Sequence, residues 1–203
     1  MAEPLQHTKL VLVEGNDEVN FFSAIKDHMG FSDIEVRSFE GINNLRGTLE
    51  ALKGVEGFDR LVSLGVVRDA EGNGMQALQS VMDALGASGL PVPPHGLEPI
   101  GQNPMVVILI NPHGQPNGRF DDVCSDSVRE TPVMRCVEEY ITCLKRLGIA
   151  VMLREWKTRV HAFIAAQDRP EVSLGVAAKR GYFPLGHAAF APTRTLLELV
   201  ENR

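Results

Sequence analysis

The chain has 203 residues, of which 44% are hydrophobic and 23% are charged, a composition typical of globular proteins and unlike that of disordered chains. The formal net charge of −6 argues against a protein that is basic all over and coats nucleic acid. No run approaches the ~20 apolar residues of a membrane helix, and residues 1–7 lack the pattern of a signal peptide, so we expect a cytoplasmic protein without a membrane span.

Charge is distributed unevenly along the sequence. Residues 1–144 carry 10 basic and 21 acidic side chains, whereas residues 145–203 carry 10 basic and 5 acidic ones. A basic flank beside an acidic body would suit a phosphodiester ligand. A solvated helix face explains the same counts equally well.

The first part of the chain alternates short apolar runs with segments of helical period. The apolar runs predict strands at 8–13, 34–39 and 60–68. Helical periodicity predicts helices at 17–29, from 43 or 44 to 53, and at 75–85. Residues 86–104, rich in Gly, Pro and Ser, predict a loop in which 97–100 could pair with 105–110 as a hairpin.

The remainder of the chain has helical periodicity. Helices are predicted at 120–128, 133–147, 155–167, 171–180 and 192–202. Thr131 and Pro132 are a typical cap and first-turn residue for the second of them. Strand–helix repetition followed by helices predicts the α/β class, with a mainly parallel sheet flanked by helices and a helical C-terminal flank.

Three cysteines, Cys124, Cys136 and Cys143, lie in predicted helices and lack a metal-binding spacing such as C-x-x-C. We expect reduced thiols packed in the core, because free cysteine is among the most buried residue types. Cys136 and Cys143 are seven positions apart and therefore share one helical face with Val133 and Tyr140.

Two of the predicted strands end in acidic residues. Glu14 follows the first strand, with Glu18 one helical turn later, and Asp69 and Glu71 follow the third. The carboxyl ends of parallel strands meet at one edge of a sheet, where open α/β sheets bind ligands. Repulsion between carboxylates at such an edge is relieved best by a divalent cation with oxygen ligands. The sequence therefore predicts a Mg²⁺ or Mn²⁺ site.

The motifs Glu14-Gly15-x-x-Glu18 and Asp69-x-Glu71, joined by a β-α-β-α-β stretch, resemble the Toprim domain shared by primases, topoisomerases and OLD-family nucleases. Over nearly the whole chain, the sequence is most similar to small stand-alone Toprim-like proteins related to the OLD group. These carry an element similar to Phe120-Asp121-Asp122 after the last strand. The resemblance implies a Toprim-like (Rossmann-like) α/β domain at 1–130 and a helical C-terminal extension at 131–203, packed on the same unit.

The resemblance also implies roles for the acidic residues. Glu14 would have an acid–base or metal-binding role, and Asp69 and Glu71 would hold the metal ion. Glu18 and Asp122 would complete a second ion site or orient its waters. For Glu18 the alternative is a first-turn acid that interacts favourably with the helix dipole.

Basic candidates lie on both sides of the acidic motifs. OLD nucleases use a lysine beyond these motifs to stabilise the transition state, and Lys157 resembles it. The alternative is an exposed helix lysine beside Trp156. Arg68 could pair with a neighbouring carboxylate.

The second motif differs from the usual Asp-x-Asp of the family. Glu71 carries its carboxylate one methylene further from the backbone than an aspartate would. Because Mg²⁺ needs near-octahedral ligands at about 2.0–2.1 Å, this extra length weakens a second metal position. One ion is therefore expected rather than two.

These features predict Mg²⁺-dependent phosphodiester chemistry on DNA or RNA, of a nuclease-like kind, and leave room for a separate ATPase partner. The alternative is a non-catalytic module that binds a metal, a nucleotide or a partner protein, which the low aromatic content of 6% mildly favours. A phosphotransfer fold with a phosphorylated Asp69 is a third hypothesis, but the residues after Ile110 lack the lysine, serine or threonine that it needs. The sequence leaves the oligomeric state open.

Overall fold

The computed structural model describes residues 3–149 and 155–203. Four strands form one sheet in the order β2-β1-β3-β4, and every pairing is parallel. This confirms the predicted fold class, an α/β protein with a parallel, Rossmann-like sheet flanked by helices. The strands are β1 Lys9–Val13, β2 Ile34–Ser38, β3 Ser63–Asp69 and β4 Met105–Asn111.

Eight α-helices lie within the described residues. They are α1 Asn16–His28, α2 Leu45–Leu52, α3 Gly74–Ala87, α4 Phe120–Ser127, α5 Pro132–Arg146, α6 Glu155–Ala165, α7 Leu174–Lys179 and α8 Ala191–Glu201. The predicted elements are present, and the largest differences are at the starts of β3 and α7, three residues later than expected. Thr131 caps α5 as predicted, since its side chain accepts a hydrogen bond from the Met134 N–H.

The sheet is covered on both faces, which explains why its inner strands are continuous apolar runs. Side chains alternate between the two faces of a strand. Val11 and Val13 therefore face a hydrophobic cluster formed with α1 and α4 to α8. Leu10 and Leu12 face a second cluster formed with α2 and α3.

Helix α8 closes one face of the sheet over β1, β3 and β4. The buried Lys9 ammonium donates hydrogen bonds to the backbone carbonyl of Glu201 at 2.8 Å and to its carboxylate at 3.1 Å. The buried hydroxyl of Ser63 donates to the Val200 carbonyl at 2.9 Å. Polar groups at the amino ends of the strands are thus satisfied by the carboxyl end of this helix.

The predicted antiparallel pairing of 97–100 with 105–110 is present. Ile100 and Val106 exchange two backbone hydrogen bonds, at 3.0 and 2.8 Å, and the Leu97 N–H donates to the Ile108 carbonyl at 2.8 Å. The second segment also pairs in parallel with β3 along its whole length. β4 is an edge strand of the four-stranded sheet, and the segment 97–100 covers part of its outer side.

The predicted burial of the cysteines is wrong for two of the three. Cys124 is buried as expected, but Cys136 and Cys143 are exposed. These two do share one face of α5, together with Tyr140, which is 52% exposed. That face is turned to solvent because the opposite face is the packed one. The buried residues of α5 are Met134, Val137 and Ile141.

Among the described residues, no helix is long and apolar enough to cross a membrane. The expected cytoplasmic location stays a prediction. So does the division into 1–130 and 131–203, although α7 packs on α1 and α8 packs on the sheet.

Candidate metal centre

Glu14 and Asp69 lie at the carboxyl ends of adjacent strands. β1 ends one residue before Glu14, and Asp69 is the last residue of β3. Because these strands are hydrogen-bonded in parallel, both carboxylates come to the same edge of the sheet. Their charges interact, since Glu14 is among the groups that raise the pKa of Asp69.

The Asp69 carboxylate is buried, with 7% of the residue exposed. One of its oxygens, Oδ1, accepts a hydrogen bond from the Phe120 backbone N–H at 2.9 Å. Burial, followed by repulsion from Glu18 and Glu14, raises the pKa of Asp69 well above its usual value. Negative charge on Asp69 is therefore costly unless a cation is nearby.

The Glu14 carboxylate has an oxygen that is buried and lacks a hydrogen-bond partner among the described residues, Oε2. Burial, followed by repulsion from Glu71, raises the pKa of Glu14, and Arg68 partly opposes this rise. Buried polar atoms are nearly always paired, so an orphaned carboxylate oxygen indicates a site for a cation or an ordered water.

Glu18 forms a capping box at the start of α1. Its Oε2 accepts hydrogen bonds from the backbone N–H groups of Glu14 at 2.7 Å and Gly15 at 3.1 Å. Burial is the largest influence on this side chain and raises the pKa of Glu18 to about 7, with repulsion from Glu14 and Asp121 adding to the rise. Glu18 thus caps the helix. It also forms an acidic cluster with Glu14 and Asp69, since Glu14 raises the pKa of Glu18 and both glutamates raise the pKa of Asp69.

Glu71 is held by the loop that precedes α4. Its backbone, in the left-handed region with φ 49°, exchanges two hydrogen bonds with Gly118, at 2.7 and 2.9 Å. The Glu71 carboxylate lies 3.0 Å from the guanidinium of Arg119, which stacks over Trp156 at 4.5 Å. Glu71 is close enough to repel Glu14, but its side chain is engaged with Arg119.

The start of α4 adds two more carboxylates. Asp122 Oδ2 accepts a hydrogen bond from the Arg119 N–H at 2.9 Å and so caps this helix. Burial raises the pKa of Asp121, and Lys157 partly opposes this rise. Lys157 itself is exposed on α6. Sequence reasoning gave Asp121 no role, yet this residue links Lys157 to the acidic cluster.

Arg68 supplies buried positive charge at this edge. The residue is 7% exposed, and its guanidinium donates a hydrogen bond to the Ala77 carbonyl at 3.2 Å. Burial lowers the pKa of Arg68, whereas Glu14, Glu71 and Asp69 raise it. The expected interaction with neighbouring carboxylates is therefore present as a charge interaction.

The described residues contain no group of three or more His, Cys, Asp or Glu side chains in an arrangement that could hold a metal ion. Three of the carboxylates at this edge are already engaged, because Glu18 and Asp122 cap helices and Glu71 binds Arg119. Glu14 and Asp69 are left as ligands for an ion. Mg²⁺ is commonly bound through one or two carboxylates and keeps several waters. The residues present thus fit one hydrated hard cation better than a full protein cage.

The fold defines the chain as a parallel α/β protein with an acidic carboxyl edge. A family model described as "Protein of unknown function (DUF3226)" matches residues 8–201, and the chain belongs to this family. A search of curated protein sequences found no match.

The fold is also similar to two solved structures of the C-terminal region of the OLD protein of Xanthomonas campestris pv. campestris, one phased with mercury and one with iodine. The TM-score is 0.50 for each, and the identities are 14% and 13%. The similarity covers 98% of this chain and 96% of each OLD chain. At this identity the likeness establishes the fold alone. It agrees with the OLD part of the sequence resemblance, while the Toprim assignment stays a prediction.

Proposed function

We propose that the carboxyl edge of the sheet binds one Mg²⁺ or Mn²⁺ ion and that the protein uses it in nuclease-like phosphodiester chemistry on DNA or RNA. One observation carries this proposal: the partnerless, buried Oε2 of Glu14 lies at the same edge as the buried carboxylate of Asp69. Similarity to an OLD protein region and the Toprim-like motifs support the choice of reaction.

In this proposal Glu14 and Asp69 hold the ion, and Glu71 joins them when it leaves Arg119. An ion held by these residues would supply charge neutralisation for a phosphoryl oxygen and activation of a water. Because burial raises the pKa of Glu14, this carboxylate holds a proton more readily than an exposed glutamate and is suited to an acid–base role. Lys157, beside Asp121, supplies positive charge toward the substrate.

Glu18 and Asp122 have a secondary role in this proposal. Their hydrogen bonds to backbone N–H groups fix the starts of α1 and α4, the two helices that border the acidic edge. Glu18 and Asp122 can bind a second ion only if they give up these hydrogen bonds to the backbone. A single ion is therefore the simpler arrangement.

A second candidate function is a non-catalytic module that binds a metal, a nucleotide or a partner protein. The specific observation in its favour is that the described residues hold no preassembled set of three metal ligands. A separate ATPase partner is compatible with either function.

Ion binding and cleavage should be measured on the same four proteins: wild type, Glu14→Gln, Asp69→Asn and the control Asp83→Asn. Asp83 is exposed on α3, away from the acidic edge. Calorimetric titration with Mn²⁺ and nicking of plasmid DNA or cleavage of RNA in Mg²⁺ or Mn²⁺ give the readouts. We expect binding and cleavage in wild type and in the control, and loss of both in the two site variants.

The possible results separate the candidates. Ion binding without cleavage of any DNA or RNA substrate would favour the binding module. Absence of Mn²⁺ binding at millimolar concentration would rule out the metal centre and, with it, the proposed reaction.

A further inference from the structure

A large open cavity begins beside the acidic edge. It has a volume of about 920 Å³ and lies between the carboxyl end of β4, the loop at 111–118 and helices α4 and α5. Asn111 lines this cavity and is the register partner of Asp69 on the neighbouring strand. The lining also includes Asp122, whose carboxylate caps α4. The cavity therefore lies next to the candidate metal centre, with Asn111 between the cavity and Asp69.

Two buried polar side chains in the lining lack partners. Asn111 is 2% exposed and Ser125 is 8% exposed. Within the described part of the chain, neither the Asn111 Nδ2 nor the Ser125 Oγ has a hydrogen-bond partner. Buried groups of this kind are rare, and each one requires an explanation. Because both residues line the same cavity, a ligand in that cavity is the simplest explanation for both.

The charges around the cavity are already paired with each other. Arg129 pairs with Asp126, and Arg159 pairs with Glu138. The buried groups without a partner in the described lining are an amide N–H and a hydroxyl, which are both uncharged. The remaining lining is partly apolar and includes Val123, Met134 and Pro192. The interior of the cavity thus fits an uncharged group with apolar faces and hydrogen-bonding edges.

We infer that this cavity holds a nucleobase of the strand whose neighbouring phosphodiester lies at the Glu14–Asp69 edge. A nucleobase has apolar faces and a polar edge, and proteins read unpaired bases through hydrogen bonds to that edge. Asn111 donates its Nδ2–H to a base oxygen or ring nitrogen, and Ser125 bonds a second edge atom. This inference rests on the proposed function, because it is the acidic edge that places a phosphodiester beside the cavity.

The size and rim of the cavity are consistent with a bound nucleotide. A volume of 920 Å³ lies near the upper end of the range for ligand pockets, so sugar and base fit together. Arg129 lies at the rim with 73% of its side chain exposed, and its surface ion pair with Asp126 is weak enough to exchange for a phosphate.

The test is binding of 5′-mononucleotides, ribo- and deoxyribo-, compared with ribose 5-phosphate, in EDTA and followed by NMR titration. Mononucleotides should bind more tightly than the base-free sugar phosphate. Ser125→Ala and Asn111→Leu should each weaken mononucleotide binding about tenfold, the effect of one lost hydrogen bond. Neither substitution should lower the melting temperature, because the hydrogen-bond donors removed, Asn111 Nδ2 and Ser125 Oγ, have no partner among the described residues.

Ser127→Ala is the matched control. Ser127 is buried on the same helix, and its hydroxyl donates to the Cys124 carbonyl at 2.7 Å. Its removal should leave mononucleotide affinity unchanged. A merely structural role for Ser125 would instead give a lower melting temperature with unchanged affinity.

Two results would overturn the inference: equal affinity for mononucleotides and ribose 5-phosphate, or wild-type mononucleotide affinity in both Ser125→Ala and Asn111→Leu. Since the assay contains no metal and requires no turnover, a negative result would rule out the nucleobase pocket and would not bear on the metal centre. Mononucleotide binding in a protein that never cleaves nucleic acid would retain the pocket and discard the proposed reaction.

Discussion

Asp69 accepts a hydrogen bond from the Phe120 backbone N–H at 2.9 Å, so one carboxylate both lies at the acidic edge and fixes the start of α4. An asparagine oxygen can accept the same hydrogen bond without the charge. Asp69→Asn should therefore keep the fold and remove a charge that is disfavoured first by burial and then by repulsion from Glu18 and Glu14. We expect the free energy of unfolding in EDTA at pH 8 to rise by about 1 kcal/mol or more. Urea denaturation measures it.

The control for this substitution is Asp83→Asn, at an exposed position on α3. Its free energy of unfolding should stay within about 0.5 kcal/mol of wild type. A lower free energy of unfolding for Asp69→Asn than for wild type would mean that the charged Asp69 carboxylate stabilises the fold, which would contradict its raised pKa.

Glu18 makes stability depend on pH. Its pKa rises from the usual 4.5 to about 7 in the folded protein, so the folded state holds a proton that the unfolded state has released. The resulting stability is fully present below pH 4.5 and is lost as the pH rises through about 7. Glu14 and Asp69, whose pKa values are also raised, act in the same direction. In EDTA, stability should fall by about 2 kcal/mol from pH 5 to pH 8.

Glu18→Gln is the matched variant, because glutamine also serves in capping boxes but does not titrate in this range. Urea denaturation at several pH values should show a flatter dependence for this variant than for wild type. Under the proposed function, millimolar Mg²⁺ should restore much of the stability lost at pH 8 in wild type. Stability that increases from pH 5 to pH 8 in EDTA would contradict the raised pKa values.

Arg119 joins Glu71 to Trp156 and should be observable by fluorescence. Trp156 is the only tryptophan in the chain, so the emission comes from the side chain that contacts Arg119. Arg119→Ala should change the Trp156 emission and lower the free energy of unfolding by about 1 kcal/mol, through the lost ion pair and the lost stacking. Arg129→Ala, which removes an exposed ion pair with Asp126, should change neither. Equal losses in both variants would mean that the stacking adds nothing.

Gly175 lets α7 approach α1 closely. A Cβ at this position would lie 2.3 Å from the Cβ of Asn20 and 2.5 Å from the backbone oxygen of Asp17. Gly175→Ala should therefore destabilise the protein by about 1–3 kcal/mol through overpacking. Gly47, within α2, has open space around it, and Gly47→Ala should stabilise by about 0.5–1 kcal/mol. Thermal denaturation measures both effects. A melting temperature that shifts in the same direction in both variants would contradict the close packing of α7 on α1.

The parallel sheet and its acidic edge could be predicted because each short apolar run identifies a buried strand and also the residue at the end of that strand. A buried strand must be apolar, and the residue after it must lie at the sheet edge, so Glu14 and Asp69 follow from the same pattern. The faces of α5 could not be assigned in this way. Both faces carry apolar residues, Met134 and Val137 on one and Cys136 and Tyr140 on the other, and only tertiary packing selects the buried one.

The partners of the acidic side chains were harder to foresee. Glu18 and Asp122 each stand three residues after a helix N-cap, and this capping-box spacing was the available signal for their hydrogen bonds. Asn111 and Ser125 had no such signal. Their interest comes from the absence of partners in the described structure, which no local pattern encodes.

The hydrogen bond from Lys9 to Glu201 joins residues 192 positions apart. A nascent chain leaving the ribosome has all four strands long before residues 191–201 can cover them. During that interval the apolar face around Val11 stays open to other molecules, and contacts of such long range slow the final closure. Folding during synthesis should therefore end with the docking of α8, and a chaperone would be needed most in the period just before it.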